Sequence, residues 1–505
     1  MMARKGIVWS VRTGVLCLLV LAPSVSLAQG IITGVVKDAT GAVVPGVTVE
    51  VASPVLIEKT RAAVTAEQGE YRIVDLHAGV YSVTFKLAGF NTVLREGIEL
   101  TGAFTATVNA EMRVGGVEET VTVSGQSPVV DVQGARQETV ITDAVLESMP
   151  TARSAQDFAQ LVPGATLAQA SARAPQDVGG ESGERQRILF HGSKYNDYSM
   201  TLDGLTYNIL NNAGSSSMIT VDPGSMQEYT LDMGSSAADV EKGGVRVNLV
   251  PKDGGNRFAG AFFGTYDTKA LQSNNVTPAL AAQGAGQGNP LELQTDFDPS
   301  FGGPIKKDRL WFFASWRHEI LNTGQPGTYF NLTPTLFYMP DLSRPAIDKW
   351  WIEQTSTRVT WQATPKNKIS LSFFDNSQCA CPQVRTVSPP DGQQTQTFPT
   401  NWQQFVVWSS TLSNKLFLQT GMLVTRFQQN VSPTTDSTNL TSITDSATGV
   451  TTRSAKTFSV GIHKEQTYRA ALTYVTGPHN FTTGFMMQQG DRDITTLANG
   501  DINLT

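Results

Sequence analysis

Leu310-Trp311-Phe312-Phe313-Ala314-Ser315-Trp316-Arg317 separates into two sets when read at a period of two. Leu310, Phe312, Ala314 and Trp316 share one face of a strand, and Trp311, Phe313, Ser315 and Arg317 share the other. The pattern returns at Val359, Trp361 and Ala363 against Arg358, Thr360 and Gln362. It returns again at Ile369, Leu371 and Phe373 against Lys368, Ser370 and Ser372. From Gly255 onward such strands follow one another, with polar loops between them. This is the weak, repeated signature of a β-barrel that crosses a membrane. A soluble β-sandwich shows the same alternation, so the rest of the chain has to separate the two.

The N-terminus carries Arg4, Lys5 and Arg12, then an apolar run from Val15 to Ala22, then Ser26-Leu27-Ala28. A basic start, a short apolar core and small residues two apart predict a signal peptide over residues 1–28, cleaved after Ala28. The run is far shorter than the roughly 20 residues of a membrane-spanning helix. Cys17 lies inside it rather than after the cleavage site, which argues against a lipoprotein. No later stretch is long and apolar enough for such a helix, and mean hydropathy is −0.14. A membrane protein of this composition must cross as strands, because only helices and closed barrels satisfy their backbone in lipid. The 505 residues allow several domains, and a formal net charge of −6 argues against nucleic acid as the main partner. Charged residues make up only 16% and glycines number 45, which suits strands and turns better than long solvated helices.

Four units follow the signal peptide. Residues 29–113 contain short β runs with turn signals at Asp38, Gly41, Pro45-Gly46, His77-Ala78-Gly79 and Ala88-Gly89, the density of a small antiparallel sandwich. Its expected core is Val35, Val47, Val49, Tyr71, Ile73, Tyr81, Val83 and Phe85. Residues 114–125 form a linker in which Gly115-Gly116 breaks structure and Thr120-Val121-Thr122-Val123 has edge-strand character. Residues 126–252 read as a mixed α+β unit: a short helix over Asp143 to Ser148, a second starting at the capping residue Ser154, then strands. Asp203-Gly204 between two β runs predicts a type I′ hairpin. Residues 253–505 hold the alternating strands.

The first unit resembles the carboxypeptidase regulatory-like domain, a carbohydrate-binding-like β-sandwich. The third, with Arg187 to Asn208 and Gly243-Gly244, resembles the plug domain of TonB-dependent outer-membrane receptors. One departure is that His191 precedes Gly192 where that family commonly has Arg, which puts a salt bridge to the barrel wall in doubt. The last unit is similar to the barrel of the same receptors, most specifically in Phe301 to Trp316, read as a strand end, a Gly-Gly-Pro turn and the next strand. The resemblance implies a mainly β protein: an N-terminal β-sandwich, an α+β plug and a partial antiparallel transmembrane β-barrel. It also implies that Glu119, Thr120, Val121, Thr122 and Val123 act as a TonB box, the segment a periplasmic partner captures by strand addition.

About nine strands fit between Arg257 and Arg492. Plugged transporter barrels need about 22, so the sequence is expected to be a fragment, and Gly500 to Thr505 lack the aromatic end of a closing strand. Lys366-Asn367 and Asn414-Lys415 are candidate short turns. Gln272 to Thr295, Gly324 to Trp350, Cys379 to Thr400 and Val431 to Lys456 are the expected long extracellular loops. Cys379 and Cys381 could ligate a metal or close a small disulfide; the disulfide, in an exposed loop, is favoured.

His77, His191, His318, His463 and His479 form no HxxE or HExxH motif, and neither GxSxG nor a Walker loop occurs. Gly284, Gly286 and Gly288 lie in a long loop and do not read as a dinucleotide site. No enzyme activity, cofactor or metal is therefore expected, and no substrate residues can be named. The expected function is TonB-dependent uptake of a large or scarce ligand (glycan, peptide or iron chelate) across the outer membrane. The expected partners are a TonB-type periplasmic complex, outer-membrane lipid and that extracellular ligand, with the N-terminal domain in the periplasm. The alternative is a barrel-anchored surface adhesion or signalling protein that uses the sandwich as its binding module.

Overall fold

The computed structural model describes residues 30–499, apart from 101–104, 116–119, 125–137, 143–144, 146–147, 149–161, 169–186, 195–196, 209–219, 234–242, 284–289, 333–336, 385–387, 435–436, 438–439 and 477–478 and positions 275, 400 and 414. The expected signal peptide, the helix from Ser154, the Gly284–Gly288 loop and the last six residues lie outside the described residues.

The N-terminal unit packs two sheets face to face. One holds β1 (Gly30–Asp38), β4 (Glu70–Leu76), β7 (Thr105–Thr107) and β8 (Ala110–Met112). The other has the order β3-β2-β5-β6-β9, from β2 (Thr48–Ala52), β3 (Thr60–Val64), β5 (Gly79–Lys86), β6 (Thr92–Leu100) and β9 (Thr120–Ser124). Inward residues of both sheets fill one core that includes Val36, Val47, Val49, Tyr71, Ile73, Tyr81, Val83 and Phe85. The expected set differs by one: Val36 is buried and Val35 is only half-buried. Adjacent valines leave the phase of β1 open in sequence, and Ile32 and Gly34 set it. Gly34 faces the core at a close approach, where a Cβ would meet the Val108 carbonyl at 2.1 Å.

Beyond it lies an inner unit. Its sheet has the order β10-β15-β16-β13-β14, from β10 (Glu138–Thr142), β13 (Ser199–Leu202), β14 (Leu205–Thr206), β15 (Met226–Met233) and β16 (Val245–Pro251); β11 (Ala165–Ala168) pairs with β12 (Arg187–Phe190) beside it. The Asp203-Gly204 hairpin is present, with φ of 47° and 78° at its two central residues, as a type I′ turn requires. Of the first expected helix, Val145 and Ser148 are helical.

All the remaining strands but two form one antiparallel sheet. β17 (Ala259–Thr268), β18 (Leu291–Lys306), β19 (Leu310–Asn331), β20 (Pro340–Thr364) and β21 (Asn367–Gln383) come first. β22 (Gln394–Phe398) and β23 (Trp402–Ser413) both pair with β21 and act as one interrupted strand. β24 (Leu416–Pro433) follows, then a small hairpin of β25 (Ile443–Thr444) and β26 (Thr451–Thr452), then β27 (Thr457–Thr476) and β28 (His479–Ala498). Counting β22 and β23 together gives the expected nine, with β17 and β28 at the two ends of the sheet. Its concave face closes on the inner unit: Phe374, Phe405, Val407 and Leu423 share a core with Leu202, Leu205, Tyr229 and Leu249. On the convex face Val359 (38%), Trp361 (49%) and Leu371 (57%) are exposed, while Arg358, Thr360, Ser370 and Ser372 point inward and are buried. Apolar outside and polar inside is the reverse of a soluble sandwich and fits a wall bathed in lipid.

Three local expectations are corrected. Gly302, Gly303 and Pro304 are strand residues paired with Phe313, Phe312 and Trp311, and the turn falls at Lys307-Asp308-Arg309, with Asp308 at φ 61°. The glycines are needed for packing instead: a Cβ on Gly303 would meet the Phe258 ring at 2.2 Å. Cys379 and Cys381 are disulfide-bonded, but inside β21, where Cys379 is buried, rather than in an exposed loop. The outer loops are shorter than expected because β19 and β20 run for 22 and 25 residues, well past the 9–11 that cross a bilayer. Apolar runs mark only the part of a strand in lipid.

Phe85 and Val35 test the sandwich phase. In an isolated polypeptide of residues 30–124, Phe85→Ala is expected to cost about 3–5 kcal/mol in urea unfolding, and Val35→Ala less than about 1 kcal/mol.

Candidate functional site

The residues that join the three units meet around Asp253, in the connection between β16 and β17. Arg358 projects inward from β20, and its Nε donates to Asp253 Oδ1 at 2.5 Å while Nη1 donates to Asp203 Oδ2 at 2.7 Å and Ser372 Oγ at 3.0 Å. The Thr360 hydroxyl donates to the same Asp253 oxygen at 2.6 Å. Lys368, inward on β21, lies 3.3 Å from Asp253 Oδ2 and 3.4 Å from Asp75 Oδ2. Asp75 belongs to the sandwich. It sits at φ 63° where β4 bulges against β1, and Arg61 donates to its carbonyl at 3.0 Å. His77 Nε2 completes the group, 3.9 Å from Asp253 Oδ2.

Burial drives the Asp253 carboxyl upward, but Arg358, Lys368 and His77 outweigh it and hold the group well below the ordinary carboxylate range. At Asp203 burial wins over Arg358, with Asp253 adding repulsion, and its carboxyl is raised. Charges this deeply buried persist only when paired. Each carboxylate thus depends on cations from another unit.

The sandwich rests on the same end of the wall. Ile31 and Val74 pack on Phe417, Lys415 Nζ lies 3.5 Å from Glu70 Oε2, and the Ala78 amide donates to Glu228 of β15 at 3.1 Å. Lys368 and Lys415 stand beside the short connections of the sheet. Higher in the wall, the inner unit is held by lighter polar contacts. Gln354 and Asn376 both donate to the Thr220 hydroxyl, at 2.9 and 2.8 Å, and the Ser315 hydroxyl donates to Asp222. Thr467 donates to the Thr206 carbonyl at 2.9 Å. At the opposite end, Trp350, Phe398, Phe427 and His463 form a row of rings with centroids 5.5–6.5 Å apart. Loop contacts lie beyond them: Thr451 N to Ser388 Oγ at 3.0 Å and Arg453 N to Asp391 Oδ2 at 3.1 Å.

Of the expected partner-binding segment, Thr120, Val121, Thr122 and Val123 lie in β9, and Glu119 is outside the described residues. β9 runs parallel to β6, with Thr120 opposite Thr92, Val121 opposite Val93 and Val123 opposite Arg95. His191, in doubt as a wall contact, packs edge-on against Phe190. The wall contact is made with opposite polarity, by plug-side carboxylates on a barrel arginine. Arg358 and Lys368 stood in the sequence among the polar alternates of their strands, and a cation repeated on the inward face was the signal available.

Two stretches of the chain match known protein families. Residues 31–113 match the carboxypeptidase regulatory-like domain, and residues 250–340 match an outer membrane beta barrel domain. The TonB-dependent transporter Oar of Myxococcus xanthus is 27% identical over 274 residues, which cover 52% of this chain and 24% of that protein. Among solved structures, the outer membrane transporter YddB from Escherichia coli is 14% identical, with 71% of this chain and 48% of that chain covered and a TM-score of 0.49. The alcaligin receptor FauA from Bordetella pertussis is 13% identical over 74% and 50% of the two chains, at a TM-score of 0.45. The chain thus spans about a quarter of the curated relative and about half of these receptors. It is an outer-membrane β-barrel protein with an N-terminal regulatory-like domain. Over about half of its length its sequence is similar to that of a TonB-dependent transporter.

Arg358→Gln leaves two buried carboxylates without their shared cation, and is expected to cost about 3–5 kcal/mol in denaturant melts of the full-length protein in detergent. The deficit should shrink as pH falls through the carboxylate range, because the paired Asp253 contributes stability only while ionised. A deficit that is constant with pH would show that the ion pairs are not its source.

Proposed function

We propose that the protein takes up a ligand across the outer membrane, powered by a TonB-type complex in the periplasm. The inner unit acts as the plug. The observation that carries this reading is how the plug is held: by hydrogen bonds, ion pairs and a shared apolar patch against side chains of the wall, with no strand pairing between plug and wall among the described residues. Such contacts can be exchanged for water without unfolding the barrel, so a moderate pull can shift the plug. Energy is needed because the concave wall is closed by the plug at rest.

Thr120 to Val123, with Glu119 before them, are the capture segment in this reading. The residues are β-branched and uncharged over the strand itself, which suits recognition through main-chain hydrogen bonds. The sandwich lies beside the short connections, the side that faces the periplasm in outer-membrane barrels. That position favours a partner-facing role over display at the cell surface as an adhesin. The ligand enters from the end that carries the ring row and the long loops, and its class among glycans, peptides and iron chelates is left to experiment. No catalytic step is involved.

Val121→Pro removes one main-chain donor and fixes φ within the segment. In the full-length protein it is expected to abolish uptake while surface binding of ligand and barrel assembly persist. Uptake at the wild-type rate would exclude the segment as the coupling site and favour the adhesin.

A further inference from the structure

The turn between β18 and β19 stands at the short-connection end of the wall and carries Lys306, Lys307 and Arg309, all exposed. Arg257, also exposed, stays beside it, because it follows Asn256, which is hydrogen-bonded to the turn. We propose that this turn is a binding site for an anionic phospholipid, with the phosphate on the cations and the acyl chains along the rings of the convex face next to them.

The turn is held in one shape by its neighbours. Asn256 Oδ1 accepts from the Asp308 amide at 2.9 Å and from Trp311 Nε1 at 2.8 Å, and Asn256 Nδ2 donates to Asp308 Oδ1 at 2.7 Å. The Arg309 carbonyl accepts from the Gln362 amide of β20 at 2.8 Å. These bonds keep Asp308 at φ 61° and commit the only carboxylate of the turn to a neutral amide. Among the described residues, Arg257, Lys306, Lys307 and Arg309 have no ion pair and no side-chain hydrogen bond. Other exposed cations of the wall do find carboxylates: Lys269, just past the far end of β17, has Glu292 at 3.9 Å, and Lys415 has Glu70 at 3.5 Å. Four cations around one fixed turn hold a positive field that Asp308 offsets only in part.

Next to the cations the wall is apolar. Phe258 (64% exposed) stacks on Phe301 with the ring planes 2° apart and centroids 5.8 Å apart, and Phe312 lies 5.8 Å from Phe301 and 6.5 Å from Phe258. Ile305 (58% exposed) carries the apolar surface up to the turn. Rings at the ends of lipid-facing strands stand at the membrane interface, so the cations just beyond them stand at the depth of the phosphates. A zwitterionic headgroup brings an amine that the cluster repels. An anionic headgroup brings the phosphate without it, and arginine grips phosphate through two parallel N–H bonds. The field thus selects the charge of the lipid, and the rings select a ligand with chains over a soluble phosphate. Asn256 closely follows Asp253, so a lipid seated here steadies the first strand into which the plug leads.

The test titrates the full-length protein in a non-ionic detergent with phosphatidylglycerol or with phosphatidylethanolamine of the same chains, and reads bound lipid by native mass spectrometry. Phosphatidylglycerol is expected to bind on the order of tenfold more tightly, a preference that fades as salt is raised. K306Q/K307Q/R309Q should bring the two lipids to within about twofold of each other. Lys349→Gln, which removes an exposed cation far along β20, should leave the preference intact. Equal binding of both lipids by the unsubstituted protein overturns the proposal, as does a triple variant that keeps the full preference. If the triple variant does not assemble, Lys307→Gln and Arg257→Gln are read singly, and each should weaken phosphatidylglycerol binding about two- to threefold. No change in either overturns the site. Glycerol phosphate, which has the phosphate but no chains, should fail to displace the lipid at about a hundredfold excess. Displacement shows a site for soluble anions and overturns the phospholipid assignment.

Discussion

Asp253 is the residue on which the three units depend. Its carboxylate accepts from the barrel arginine Arg358 and from Thr360, lies within ion-pair distance of Lys368, and through Lys368 is joined to Asp75 of the sandwich. A single buried carboxylate in the connection between plug and wall therefore senses the position of all three. The low dielectric that makes such a group costly to leave unpaired also makes its pairing specific. A displacement of the sandwich takes Asp75 from Lys368, and a displacement of the plug takes Asp203 from Arg358. Either change alters the field at Asp253.

The surrounding contacts grade in strength away from that point. Next to it are buried ions and an apolar seat of Ile31, Val74 and Phe417. Farther along the wall the plug is held by amide and hydroxyl hydrogen bonds at Thr220, Asp222 and Thr206, which water can replace at small net cost. The ionic group is thus the strongest polar tie between plug and wall, beside the apolar patch where Phe374, Phe405, Val407 and Leu423 pack against the plug. The ring row of Trp350, Phe398, Phe427 and His463 stands at the other end, away from the moving contacts.

Much of the fold was legible because it rests on local periodicity. Strand faces in Leu310–Arg317, Val359–Ala363 and Ile369–Phe373 follow from alternation, and the Asp203-Gly204 hairpin from turn chemistry. Where local signals were ambiguous the reading slipped. Val35 and Val36 are both apolar, and only the close packing at Gly34 fixes the phase. Gly302-Gly303-Pro304 has turn composition but serves side-chain packing within a strand. The Cys379–Cys381 disulfide was foreseen, but strand residues beyond the lipid zone carry no apolar alternation to place it in β21. The site was less legible. Arg358 and Asp253 are 105 residues apart, and Lys368 and Asp75 are 293 apart; nothing in either neighbourhood names its partner. Pairing of β9 with β6 was equally hidden, since linker composition around Gly115 suggests a free tether and parallel pairing leaves no hairpin signal.

A double-mutant cycle on Asp253→Asn and Arg358→Gln, read as plug stability in the full-length protein in detergent, tests the central role of this pair most directly. A coupling energy above about 1 kcal/mol is expected, since the two groups share one buried network. Additivity within about 0.5 kcal/mol would contradict it, and would show that the plug is held by its other contacts.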